Sequence, residues 1–179
     1  DTVAGAGPAG VQDKTLDIPA AGNFRFAPWL YAANARLPEQ GAVTLRLKGE
    51  PSERGELLAG ISLRGQTSDW ELWRTPHVSL VYVHSRDGTG SVVFDDERGP
   101  GRNPDFSAEG WKLPVWLRIE RDGERYTASA SQDGDAWKPI GVIDGPLRAL
   151  PGELYFGIIA GGERNHATRA LVDNVTLEK

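Results

Sequence analysis

The stretch from Pro114 to Trp137, PVWLRIERDGERYTASASQDGDAW, constrains the fold of this chain more than any other. Val115, Leu117 and Ile119 alternate with Trp116, Arg118 and Glu120, the period of two that sends successive side chains to opposite faces of a strand. Asp122-Gly123 follows, a dipeptide suited to a two-residue type I′ hairpin turn, which needs positive φ at both central residues. A turn there predicts Arg121 opposite Glu124, and hence Ile119 opposite Tyr126, Leu117 opposite Ala128 and Val115 opposite Ala130 on a core face. The polar face then sets Trp116 against Ser129, Arg118 against Thr127 and Glu120 against Arg125, the last an ion pair worth about 0.2–1 kcal/mol. A second turn at Asp133-Gly134 leads to Trp137, predicted to fold back over the hairpin end.

The same alternation recurs along the chain. Gly41–Lys48 places Val43, Leu45 and Leu47 on one face and Thr44, Arg46 and Lys48 on the other. Leu57–Arg64, His77–His84, Gly90–Asp95, Ile140–Ile143 and Ala170–Leu177 read as further strands, while Leu154–Ala160, LYFGIIA, is apolar enough for a central strand buried on both faces. Thr15–Ile18 and Phe24–Tyr31 are strand-like pieces broken by Pro19 and Pro28, as sheet edges tolerate. Residues 66–76 and 98–110 read as loops, and the small residues up to position 12 as a flexible leading segment. No stretch reads as a helix of useful length. Strands at this spacing predict one all-β domain over residues 1–179, a two-sheet antiparallel sandwich.

Composition removes several functions. The 20 basic residues are scattered through a chain of formal charge −5, so the basic stripe that binds nucleic acid is missing. No apolar run approaches the ~18 residues of a membrane-spanning helix. Without Cys there is no disulfide framework, thiolate zinc site or Cys nucleophile. The chain also lacks Met, which fits a processed, exported protein, secreted or at the cell surface.

Three segments resemble secreted bacterial laminin-G-like domains of the concanavalin-A-like lectin/glucanase superfamily: the Ser131–Trp137 turn (SQDGDAW), the strand Gly60–Arg64 (GISLR) and the closing Ala170–Leu177 (ALVDNVTL). The resemblance runs from Gly60 to the end of the chain. It implies a jelly roll that binds a poly- or oligosaccharide, or packs on neighbouring domains of a larger protein. It also implies one structural calcium ion, with Asp173 as a ligand.

Catalytic constellations are weak. The E-x-D-x-x-E strand of the superfamily's glycosidases is absent, although Asp69 and Glu71 share a face by alternation and carboxylates about 5–9 Å apart can cleave a glycosidic bond. Polysaccharide lyases of similar fold use an Arg, a Gln or Asn, a His and a Tyr on adjacent strands, and YFGIIAG lacks the polar members of their signature. His77, His84 and His166 are not at zinc spacing, and no G-x-S-x-G elbow occurs. The expectation is a non-enzymatic module. Trp and Arg interleave, and sugars present apolar CH faces rimmed by hydroxyls, so Arg64, Trp70, Trp73, His77, Arg98, Trp116 and Arg118 are the candidate glycan contacts. Trp116, Arg118 and Arg64 are predicted to share the non-core face of one sheet, and Trp111 to cap an edge.

Overall fold

The computed structural model describes residues 10–20, 29–50, 56–65, 76–85, 87–96, 106–145, 150, 152–162 and 168–179. In chain order the strands are β1 (Gly10–Gln12), β2 (Thr15–Ala20), β3 (Trp29–Leu37), β4 (Gln40–Glu50), β5 (Leu57–Arg64), β6 (His77–His84), β7 (Gly90–Asp96), β8 (Phe106–Glu109), β9 (Val115–Asp122), β10 (Arg125–Ser131), β11 (Lys138–Asp144), β12 (Leu154–Gly162) and β13 (Thr168–Glu178). They form a seven-stranded sheet, β1-β2-β13-β4-β9-β10-β11, and a six-stranded sheet, β3-β12-β5-β6-β7-β8. All pairings are antiparallel. The fold is a two-sheet β-sandwich, and none of its described elements is a helix long and apolar enough to cross a membrane.

Alternation fills the space between the sheets. Val43, Leu45, Leu47, Val115, Leu117, Ile119, Tyr126 and Ala128 line the seven-stranded sheet, and Leu57, Ile61, Leu63, Leu80, Phe94 and Leu154 line the other, all with no exposed surface. Burying an aliphatic or aromatic side chain this completely contributes about 1.5–3 kcal/mol. The sheets also close at their sides. A Cβ on Gly141 of β11 would lie 2.2 Å from Cγ of Phe106, so the ring on β8 occupies the space that the glycine leaves.

The predicted hairpin faces hold, but its register is two residues away from the expected one. Asp122 faces Arg125, Arg121 faces Tyr126 and Ile119 faces Ala128. Gly123 has φ +62° and is the only residue of the Gly123-Glu124 turn with positive φ. That is the type II′ requirement, glycine first, so the glycine itself opens the two-residue loop. Because the slip is even, every side chain keeps its face. The expected Glu120–Arg125 pair is therefore absent: Arg125 donates to Asp144 at 2.9 Å, and Glu120 faces Thr127 while accepting from Arg118.

Two strands escaped the sequence reading. Gly10–Gln12 pairs with β2 through a tight turn in which Asp13 and Lys14 both have positive φ. Phe106–Glu109, inside the expected loop, forms the edge strand β8. Each has four residues or fewer, too short for alternation to stand out.

Candidate functional site

The outer face of the seven-stranded sheet is a lattice of ion pairs. Arg169 donates to both oxygens of Asp17, at 2.8 and 2.7 Å. Arg46 grips Asp173 in the same two-pronged way at 2.6 and 2.6 Å, and Lys48 also contacts that carboxylate. Arg118 donates to Glu178 at 2.7 and 2.8 Å, to Glu120 at 2.8 Å and to Thr44 at 3.1 Å. A bulge in β13 arranges this. Asp173 pairs with Arg46 but Thr176 pairs with Thr44, and the extra residue, with Asn174 at φ 49°, changes the phase of the strand. Leu177 then packs against the core while Glu178 points outward to Arg118.

Trp116 lies on this face, clamped. The Arg46 guanidinium sits 5.4 Å from its ring centroid, and a Cβ on Gly134 would come within 2.9 Å of its Cε2. The ring of Trp116 therefore packs on the second turn. That turn is wired internally: Ser131 Oγ accepts from the Gly134 N–H at 2.9 Å, and Asp133 accepts from the Asp135 and Ala136 N–H groups at 2.9 Å each. Those backbone donors, Ala136 first, hold the Asp133 carboxyl down at about 2. Gly134 has φ +90°, so Gly134→Ala is expected to cost about 1–3 kcal/mol from backbone strain and crowding, and to alter the Trp fluorescence spectrum. An unchanged spectrum and melt would contradict this packing.

Beside Arg118 an open depression of about 630 Å³ is lined by Gln40, Glu120, Asp122, Arg125, Thr127 and Glu178 among others. Its Glu120 and Glu178 flank one guanidinium, which donates to both. Glycoside hydrolysis needs one carboxyl whose pKa is raised so that it can donate a proton. The hydrogen bonds from Arg118 do the opposite, holding Glu178 below the usual carboxylate range. Glu178 is therefore not tuned to act as a general acid.

Asp173 does not fit calcium. Its carboxylate is occupied by Arg46 and Lys48, whose hydrogen bonds, Arg46 first, hold its pKa at about 2. A calcium ion needs six or more oxygen ligands, not two cations beside a single carboxylate. Among the described residues no group of three or more His, Asp or Glu is placed to hold a metal ion.

The expected grouping of Arg64 with Trp116 and Arg118 is also corrected. Arg64 ends β5 in the six-stranded sheet, whereas Trp116 and Arg118 lie on β9 in the other, so the sandwich separates them. Arg64 instead faces His77 on β6 and Tyr155 on β12, and Tyr155 faces Arg36 on β3. The result is a line across four adjacent strands: Arg36, Tyr155, Arg64, His77. Arg36 donates to the Tyr155 hydroxyl at 2.6 Å and its guanidinium stacks 4.1 Å from that ring centroid. Arg64 is fully buried, and His77 and Tyr155 are half-buried. Ser62 and Ser79 face each other on the same side, one step along the strands. Trp70, Trp73, Arg98, Asp69 and Glu71 lie outside the described residues. Tyr155 is missed in the sequence because LYFGIIA reads as uniformly apolar, and Arg36 because the strand-like piece Phe24–Tyr31 stops short of it, whereas β3 runs to Leu37. Strict alternation from Leu154 would have set Tyr155 on the outer face.

No family model matches the chain, and no curated protein matches it. Solved structures do. The GH43 protein BlXynB from Bacillus licheniformis superposes with a TM-score of 0.65 at 15% identity, over 92% of this chain and 32% of that one. The chain thus spans about a third of that protein. The exoplasmic/lumenal domain of VIP36, in its Ca2+/Man3GlcNAc-bound form, gives 0.62 at 8% identity, over 94% of this chain and 80% of that one. A legume lectin-like domain from Entamoeba histolytica gives 0.59 at 13% identity, over 96% and 86%. Sheet order, pairing and these neighbours together make the fold a two-sheet antiparallel sandwich of the concanavalin-A-like jelly-roll kind.

Proposed function

We propose that this domain is a non-catalytic carbohydrate-binding module of an exported protein, taking a poly- or oligosaccharide on the outer face of its six-stranded sheet. The observation that carries the reading is the cross-strand line Arg36–Tyr155–Arg64–His77. It joins an aromatic ring to directional hydrogen-bonding groups, the mixture a hydroxylated ring with apolar faces requires. The connection between Arg64 and His77 in the chain carries Trp70 and Trp73. The lectin-like neighbours support the reading, one of them in a Man3GlcNAc-bound form. The other face supports it by contrast, since its cations are paired with carboxylates and Trp116 is held by Arg46 and the Gly134 turn.

Titration of a panel of soluble polysaccharides is expected to give one saturable ligand, whose affinity falls at least tenfold in His77→Ala and in Tyr155→Ala. Trp116→Ala should lower the melting temperature and leave affinity unchanged. Binding that persists in both sheet-face variants, or is absent for every glycan in a folded sample, would reject the site.

The same line supports a second reading. Tyr155, Arg64 and His77 occupy adjacent strands, the residue types a polysaccharide lyase uses to neutralise a uronate carboxylate, remove the adjacent proton and protonate the leaving oxygen. Ser62 and Ser79 stand where an amide is needed, which favours binding over elimination. Incubation with anionic polysaccharides separates the two: a growing ultraviolet absorbance from an unsaturated product would establish the lyase.

A further inference from the structure

We propose a second, separate sugar site: a pocket of about 210 Å³ at the side of the sandwich, between the edge strands β8 and β11, shaped for one neutral sugar ring such as the terminal residue of a glycan. It stands independently of the sheet-face reading. At ~30 Å³ per water the space equals about seven water molecules, which suits a single sugar ring.

The walls are built by local sequence. Gly110, with φ +87°, turns the chain out of β8, and the N–H groups of Gly110 and Trp111 both donate to the Gly90 carbonyl, at 3.0 and 3.1 Å. That anchors Trp111, which is 7% exposed and belongs to the core, with part of its surface lining the pocket. Ala108, Pro139 and Ile140 supply apolar sides. Gln132 is a brace: its amide donates to the carbonyls of Lys112 and Pro114 at 2.8 and 3.0 Å and accepts from the Lys112 N–H at 3.2 Å, so it has little left for a ligand.

Glu109 and Lys138 remain at the rim, both exposed. The ammonium of Lys138 lies 5.8 Å from the Trp111 ring centroid, within cation–π range and free to swing towards a ligand. One acid and one base cancel in charge, so the rim selects no ion. A carboxylate that accepts and an ammonium that donates match the neighbouring hydroxyls of a sugar, and the indole with its aliphatic walls matches its CH groups. Among the described residues β8 and β11 are both edge strands, so outward-facing backbone groups border the mouth as well.

Ligand-observed saturation-transfer NMR with glucose, galactose, mannose, xylose and arabinose tests the pocket. At least one of these sugars is expected to show saturable binding in the millimolar range. Lys138→Ala and Glu109→Gln, both exposed and outside the core, should each weaken it about tenfold, while His77→Ala leaves it unchanged. Transfer that is equal in wild type and both rim variants, or absent for all five sugars, overturns the proposal. Loss in His77→Ala with retention in the rim variants would assign the sugar to the sheet face and reject the pocket.

Discussion

Leu117→Ala is expected to cost about 3–5 kcal/mol and to lower the melting temperature by roughly 6–20 °C, at roughly 2–4 °C per kcal/mol for a domain of this size. Leu117 has no exposed surface and stands in β9 between Leu45 of β4 and Ala130 of β10. Backbone ladders on both sides fix this strand, so the cavity cannot close by a shift of β9, which places the loss in the upper part of the Leu→Ala range. Glu120→Ala, on the same strand but exposed, is expected to stay within about 0.5 kcal/mol. Equal losses from the two in chemical denaturation would mean that the face assignment is wrong. The comparison also separates alternation from register, since a two-residue slip leaves both predictions intact.

The second large effect is expected at Asp173. Its carboxyl titrates at about 2 in the folded chain against an ordinary value of 3.8, because Arg46 and then Lys48 donate hydrogen bonds to the ionised form. A depressed carboxyl stabilises the fold above its unfolded pKa. The contribution is complete above about pH 5 and is lost as the pH falls through the folded value of about 2. At neutral pH the difference corresponds to about 2 kcal/mol, so Asp173→Asn should lose that amount at pH 7 and only about 0.5 kcal/mol or less near pH 2, where the wild-type side chain is already half protonated. Asp173→Ala also leaves Arg46 and Lys48 side by side without their counterion, for a total of about 3 kcal/mol. Melting curves from pH 2 to 7 would show the wild type and the Asn variant converging in acid, and parallel curves would refute the linkage. Chelator should leave the contribution of Asp173 to the melt unchanged, because its carboxylate is already held by two cations.

These expectations rest on how the two faces of each sheet divide the work. The seven-stranded sheet spends its outer charges on one another: Asp17 with Arg169, Asp173 with Arg46 and Lys48, Glu178 and Glu120 with Arg118, Asp144 with Arg125. Apart from the largely buried Asp173, exposed pairs of this kind contribute little individually, about 0–1 kcal/mol. They keep the face solvated and leave its guanidiniums committed. The six-stranded sheet instead buries Arg64 beneath its outer surface and lines Arg36, Tyr155 and His77 up beside it. Among the described residues the exposed large hydrophobics are Val11 and Val175, which lie on different strands and form no apolar docking patch.

Most of the sandwich was legible in the residues because a strand writes its own faces: a period of two over six or more residues fixes which side chains go inward wherever the partners are. β5 and β6 have the bounds that alternation predicts, and Val115, Leu117, Ile119, Tyr126, Ala128 and Ala130 all lie in the core as read. Register is a different quantity. It depends on which glycine dihedral the turn adopts, and Asp-Gly is compatible with opening the loop at either residue. Local sequence is also blind to which sheet a strand joins, so Arg64, Trp116 and Arg118, alike in one dimension, end on opposite sides of the molecule. The line Arg36–Tyr155–Arg64–His77 draws on four strands, the outermost 41 positions apart from Arg36 to His77 and Tyr155 a further 78 along, and only pairing in space assembles it. The sequence by itself therefore determined the class of fold and the inward set of side chains, through backbone alternation and apolar burial. Tertiary structure alone decided the partners: the bulge that turns Glu178 to Arg118, the cations that claim Asp173, and the closure of β8 on β11 around Trp111. Those are contacts between residues whose separation in sequence carries no local signal.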